Sequence, residues 1–441
     1  MIRLRPSGVD EILIKRVQDW YEPGPGVFIQ SLTASFSPAM LFTGSTTGAW
    51  YDPSDLTTLY RDAAGTLPVT AVEQPVGLML DKSGRGNHAF NPSGNSANFP
   101  VLSARYNLLT KTEDFSDAAW ATLGTVTRTP NYAVAPDGTT TAQRVVFSQN
   151  SSSDQFFQVV SVTSTTYSQG VWIKVPSGSA LIKFGFYDGA IKTSALTLTT
   201  TWQYFTATQL LTAGAGARLM WLYPDGAGYA TEIYVWHPDL RVANDALNQP
   251  AYQRVNTSTD YDTVGFKPYL TFNGTNQWLQ TNSIDFTYTD KMFVSAGVRY
   301  QNLAATSVAA ELSASLSANN GTFIIYGENT STAKFASKGT FSSGFISSAT
   351  LSAPITIVQS GLGNISGDQA ILRINGDQAA ISTADQGTGN YGNYPLYIGA
   401  RAGSSLWFNG RLYGLVVTGK QASAAEITST ETYINQKTGA Y

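Results

Sequence analysis

The chain has 441 residues, no cysteine, two histidines and a formal net charge of -3. Without cysteine there is neither a disulfide framework nor a thiolate metal site, and without a basic surplus there is no stripe of cations to displace counterions from nucleic acid. Charged residues are 13% of the chain, about half the usual share, so solubility rests on glycine and on hydroxyl and amide side chains, a composition that suits an all-β protein.

From Ser7 to Tyr21 the residues Val9, Ile12, Leu13, Val17 and Trp20 recur at helical spacing, and Glu22-Pro23-Gly24-Pro25-Gly26 ends the run. A helix this short is not stable alone. It packs on its own chain or docks on another protein, with Val9, Ile12, Leu13 and Trp20 as the candidate attachment residues. The first fifteen residues contain no apolar signal region, and no run of about 18 apolar residues occurs anywhere, so the expectation is synthesis in a cytoplasm without a signal peptide or membrane insertion.

In residues 48–104, Ser54 is expected to cap a helical turn holding Leu56, Leu59 and Tyr60, and Val76 to Leu80 to form a strand entering the turn Asp81-Lys82-Ser83-Gly84. From Arg105 to Asp245 short alternating runs dominate. Successive strand residues point to opposite faces. Val171, Ile173 and Val175 therefore oppose Trp172 and Lys174, and Ile182, Phe184 and Phe186 oppose Lys183 and Tyr187. Met220 and Leu222 oppose Trp221 and Tyr223, while Ile233 and Val235 oppose Glu232, Tyr234 and Trp236. One face is a sandwich core. The other mixes flat rings with charge, as a sugar platform does, so Trp172, Lys174, Tyr187, Trp221, Tyr223, Tyr234 and Trp236 are candidate carbohydrate contacts. The competing reading is that these rings pack beneath loops or between sheets, the commoner fate of a single Trp.

Residues 246–268 are polar and turn-rich and read as a connection. In 269–441 the run Tyr269 to Leu279 is a strand broken by Asn273-Gly274, a pair suited to a hairpin. Leu406, Phe408, Tyr413, Leu415 and Val417 supply two strands around Asn409-Gly410, and Asn375-Gly376 reads as a further hairpin turn. Ser423 and Glu426 form a capping box opening a helix that stops at Gly439. Tyr391, Tyr394 and Trp407 sit near expected loop ends and complete the carbohydrate candidates. The run from Gly389 to Tyr394 is a binding loop or simply a tight connection.

For catalysis, neither a G-x-S-x-G elbow nor a G-x-x-x-x-G-K-[ST] loop is present, and His88 and His237 stand at turn and strand-end positions that make no triad. A carboxylate pair of glycosidase type stays open among the 30 acidic residues. No calcium loop of D-x-[DN]-x-[DN]-G form occurs, so neither metal nor other cofactor is expected.

Three stretches carry a resemblance. The order of the FNG strand, the "IGARAG…FNGRLYGLVV" run and the capped helix resembles the laminin G/concanavalin A-like lectin domain of bacteriophage virion proteins. "WYDPSDLTTLYRD…VGLMLDKSGRGNHA" resembles a leader common in phage tail proteins, where it supplies early strands of that sandwich. "NLL…TEDFSDAAW…APDGTTTA", from Tyr106 onward, is similar to the carbohydrate-binding-module type jelly roll of phage head-spike and tail proteins. The resemblance implies a concanavalin A-like β-sandwich (48–104 and 269–441) interrupted by a separate jelly roll (105–245), with 246–268 as return linker and 1–47 as virion-attachment segment. It implies a tail-fibre, tail-tip or spike adhesin that binds host or environmental glycans without catalysis, as a homo-oligomer, with a trimer the common state of fibre proteins. A head-decoration or purely structural subunit, or a capsule or lipopolysaccharide depolymerase, are the alternatives.

Overall fold

The computed structural model describes residues 36–245, 249–341 and 345–441. The expected N-terminal helix, with Val9, Ile12, Leu13 and Trp20, lies outside the described residues. Every described element belongs to the unit from Ser37 to Tyr441.

Among the described residues there are four antiparallel sheets: one of eight strands, one of nine and two of five. The eight-stranded sheet runs Asp377–Ser382, Gln369–Ile374, Ile355–Asn364, Lys291–Tyr300, Asn409–Thr418, Tyr269–Asn273 and Val101–Ser103, and Gly48–Tyr51 pairs with Asn409–Thr418. Strands from both ends of the sequence thus lie side by side: Leu102 pairs with Leu270, and Trp50 with Val416. In the nine-stranded sheet Phe90 pairs with Gln280. The two large sheets close on a core that includes Tyr51, Leu102, Phe272, Val294 and Phe335.

Strand Lys291–Tyr300 shows why the helix is needed. Met292, Val294, Ala296, Val298 and Tyr300 enter the core, yet the residues between them, apart from Lys291, are buried too. The C-terminal helix α1 (Ala424–Thr438) covers that outer face. It opens as expected, with Ser423 and Glu426 capping each other's backbone, and ends at Gly439 with φ 62°. A Cβ built on Gly297 would stand 2.7 Å from the Cγ2 atoms of both Ile434 and Thr438. Gly297→Val is therefore expected to push the helix off the sheet, destabilising the sandwich by about 1–3 kcal/mol in urea unfolding, whereas a variant as stable as the parent would contradict this packing.

The two five-stranded sheets form a second sandwich built wholly from Trp120–Leu123 to Glu232–Val242. Phe156, Ile173, Phe184, Phe186, Leu222 and Val235 meet between them. Met220 joins this core, as expected, but so does Leu219. Met220 takes φ 52° and the register slips between Leu219 and Leu222, a bulge that resets the alternation.

Three local expectations are corrected. Asp55, not Ser54, caps the short 3-10 turn Leu56–Thr58, accepting the Thr57 N–H at 3.2 Å. Gly274 has φ 73°, but Asn273-Gly274 does not close a hairpin, because Tyr269–Asn273 and the next strand, Leu279–Asp285, belong to different sheets. Asn409 and Gly410 open the strand Asn409–Thr418, pairing with Asn273, Phe272 and Tyr300, so they are no turn between two strands, and Leu406 and Phe408 lie in the connection before it. The Asn375-Gly376 turn has positive φ at both residues, 52° and 88°, as a two-residue hairpin requires.

The two sandwiches are stitched together where the chain leaves and returns. Gln253 is fully buried. Its Oε1 accepts the N–H groups of Tyr106 and Asn107 at 2.7 and 2.9 Å, and its Nε2 donates to the carbonyls of Ala104 and Asp262 at 2.8 and 2.7 Å. Around it Tyr106, Val255, Tyr261, Phe266, Tyr269 and Tyr413 form a separate buried cluster. The polar connection read from the sequence is thus anchored by one amide and a knot of rings.

Candidate functional site

The outer face of one jelly-roll sheet gathers aromatic and charged side chains that the alternation keeps out of the core. Strand order there is Gln203–Leu211, Thr165–Lys174, Glu232–Val242, Ala142–Phe147, Val126–Ala133. Register places Trp172 between Tyr204 and Trp236, and Tyr234 between Lys174 and Arg144. The rings of Trp172 and Tyr204 lie 5.3 Å apart at 48°. Gly170 permits this, because a Cβ at that position would collide with the Tyr204 phenol.

A second row runs parallel to the first. Lys174 Nζ stands 4.9 Å from the Trp202 ring and 5.7 Å from that of Tyr234. Arg144 covers Tyr132 at 4.8 Å, and Tyr132 lies 5.7 Å from Tyr234. The Arg144 guanidinium is held flat by Glu232 through two 2.8 Å bonds, and that bonding holds the Glu232 carboxyl below its usual range. Tyr204 and Tyr132 remain 39% and 46% exposed. Trp172, Lys174, Trp202 and Tyr234 are half-buried, each offering an accessible part.

Trp236 supports this surface rather than forming it. It is 8% exposed, with Nε1 donating to Thr141 Oγ1 at 3.1 Å, and packs with Trp172, Trp202, Ala135 and Ala142 in a cluster apart from the core. Beneath it His237 stacks between Trp236 and Tyr252, at 3.3 and 3.6 Å. Burial pulls the imidazole down to about 4, against Asp137, which raises it. A depressed folded value makes the imidazole's contribution to stability complete above about 6.5 and progressively lost as pH falls towards 4. The expected result is an imidazole NMR titration with its midpoint near 4; a midpoint at or above 6 would contradict the stacked geometry.

The opposite outer face is closed. Trp221 and Tyr223 are 2% and 5% exposed and form a cluster with Phe157 and the half-buried Tyr187. Arg218 lies over Phe157, Tyr187 and Trp221 at 4.9, 5.0 and 5.7 Å. Gln155 accepts from both Arg218 and the Trp221 indole. Trp221 and Tyr223 stand opposite the core as the alternation requires, but a sugar cannot reach them. They are corrected from contacts to packing.

In the large sandwich Tyr391 is likewise corrected. It is 1% exposed, belongs to the core, and shares a 2.6 Å hydrogen bond with Ser337. The GNYGNY run is therefore a tight connection pinned by Tyr391. Beside it Thr287, Asn320, Thr340, Asn390 and Tyr394 line a cleft of about 360 Å³, a neutral hydroxyl and amide surface. Trp407 is half-buried and does not line it. Arg401 is bound to the fully buried Glu311 at 2.8 Å and is structural.

No family model and no curated protein matches the sequence. Solved structures similar to it include the Ruminococcus gnavus IT-sialidase CBM40 bound to α2,3 sialyllactose, at 12% identity and TM-score 0.28, covering 34% of this chain and 97% of that one. The NanB sialidase of Streptococcus pneumoniae matches at 13% and 0.28 over 36% of this chain and 26% of that one. A heptameric SAP-like pentraxin from Limulus polyphemus matches at 14% and 0.30, over 36% and 79%. At these scores no residue or ligand is carried across.

Three members of the ring surface were not among the residues singled out from the sequence. Trp202 and Tyr204 flank Gln203 at a spacing of two, a signal that was there to read. Tyr132 was not legible, because Asn131 takes φ 51° and the pairing shifts between Thr129 and Ala133. Among the described residues, no group of three or more His, Cys, Asp or Glu stands close enough to hold a metal, and no helix is long and apolar enough to cross a membrane.

Proposed function

We propose that this protein is a non-catalytic glycan-binding protein whose sugar platform is the outer face carrying Trp172, Tyr204, Trp202, Lys174, Tyr234, Tyr132 and Arg144. The observation that carries the reading is the half-open row of rings with fixed charges beside it. Flat rings stack on the apolar faces of pyranoses, while the Arg144–Glu232 pair and Lys174 bond ring hydroxyls. A core-packing role would not leave Tyr204 and Tyr132 more than a third exposed.

The segment 105–245 is proposed to be a domain inserted into the lectin-like sandwich. The pairing of Val101–Ser103 with Tyr269–Asn273 across it supports this. The sequence signatures support a place on a bacteriophage particle, as a tail-fibre, tail-tip or spike component that adheres to host or environmental glycans. Single sugar contacts are weak, so adhesion depends on many copies acting together. A glycan array with the purified full chain tests binding, and an assay of reducing ends released from host polysaccharide tests cleavage. Array signal without new reducing ends is the expected result. Immunogold labelling of particles tests the virion placement.

A further inference from the structure

Where the two sandwiches meet, a cleft of about 520 Å³ opens, within the usual size range of small-molecule sites, which favour domain boundaries. Its floor holds an unequal charge arrangement. Asp245, with a side chain 4% exposed, is shared by two guanidiniums: Arg299 at 2.8 Å and Arg411 at 3.1 Å. Arg299 is 1% exposed and Arg411 14%. Arg105 faces the same cleft, with Nε and Nη2 donating to the carbonyls of Asn107, Leu108 and Leu109. The other lining carboxylate, Glu73, already accepts from Ser103 and Tyr261. Among the described lining residues, three guanidiniums therefore face two carboxylates, an excess of one positive charge.

A buried ion pair is normally matched, because an uncompensated charge is costly away from water. Here the surplus cation sits at the wall of an open cavity. The remaining wall is mixed: Ser161, Thr163, Ser258, Thr271, Gln301 and Asn409 offer hydroxyls and amides, and Leu108, Val160, Val242 and Phe272 offer apolar surface beside the rings of Tyr167 and Tyr269. One negative charge and several hydroxyls would complete such a lining. We propose that this cleft is a second binding site, distinct in residues from the platform, and that it takes a sugar acid: a monosaccharide or chain end bearing one carboxylate. The carboxylate neutralises the Arg411 side of the Asp245 pair, and the hydroxyls meet the Ser, Thr, Gln and Asn side chains.

The test is calorimetric titration of the full chain with D-glucuronate and D-galacturonate, against D-glucose, acetate and inorganic phosphate. Saturable one-to-one binding of either uronate, at least tenfold stronger than glucose or acetate, is expected. Arg411→Gln should weaken it at least tenfold. Ser161→Trp, at an exposed position on the cleft wall, should block it while leaving the fold intact if Arg411→Gln does not fold. Trp172→Ala should leave it unchanged, which separates this site from the platform. Absence of uronate binding, or uronate binding that survives Ser161→Trp, would overturn the proposal. Phosphate binding as tightly as the uronates would overturn the sugar part, reducing the cleft to a simple anion site.

Discussion

Trp172→Ala combined with Tyr204→Ala is expected to abolish retention on the glycan that the parent binds, while the far-ultraviolet spectrum and unfolding midpoint change little. Truncating an aromatic anchor costs about 2 kcal/mol or more, so the pair removes about 4 kcal/mol, roughly a thousandfold in affinity. Tyr204 lies over Gly170 and is 39% exposed, and the half-buried Trp172 rests on Trp236 rather than in the core. Losing both empties the first row of the platform without opening the sandwich. Trp221→Ala is the contrast. That ring is 2% exposed beneath Arg218, so its loss should cost about 3–5 kcal/mol of stability and leave the glycan preference as it was. If Trp221→Ala alone removed binding in a folded protein, the two outer faces would have been assigned the wrong way round.

Gln253→Leu is expected to be among the most damaging single changes, although the side chains are similar in size. The amide satisfies two backbone N–H groups and two carbonyls at the junction. Each buried polar group left unpaired costs about 1–3 kcal/mol, so a loss of at least ~4 kcal/mol is expected for the four. Gln253→Glu should also destabilise, because a carboxylate cannot donate to Ala104 and Asp262. Urea unfolding combined with limited proteolysis checks this: cleavage is expected between residues 104 and 110 and between 249 and 268, ahead of either sandwich. Parental stability in both variants would show that water replaces the amide and that the junction is looser than described.

The sequence made the strand faces legible because alternation is local. Ile173, Phe184 and Val235 are found in the core, with Trp172, Trp221 and Tyr234 on the other side. What alternation cannot give is what covers an outer face. Trp221 and Trp172 both point away from the core of their sandwich, yet Arg218 and Gln155 close over one and Tyr204 leaves the other half-open. That difference depends on which strands become neighbours. Tyr391 departs from its expected exposure for a related reason: a Gly/Asn-rich loop looks exposed, but its ring turns inward to Ser337 beside Gly363. The buried Asp245 cluster was invisible, since Arg299, Arg411 and Asp245 are far apart in sequence and meet only when the jelly roll sits on the sandwich.

The most direct measurement is an NMR titration that follows the indole N–H signals of the nine tryptophans with the oligosaccharide giving the strongest array signal. Trp172 and Trp202 are expected to shift progressively, with Trp120 and Trp221 unmoved in their buried sites. Saturation with Trp172 and Trp202 both stationary would show that sugar binds elsewhere, and the ring surface would then be only the outside of a β-sandwich.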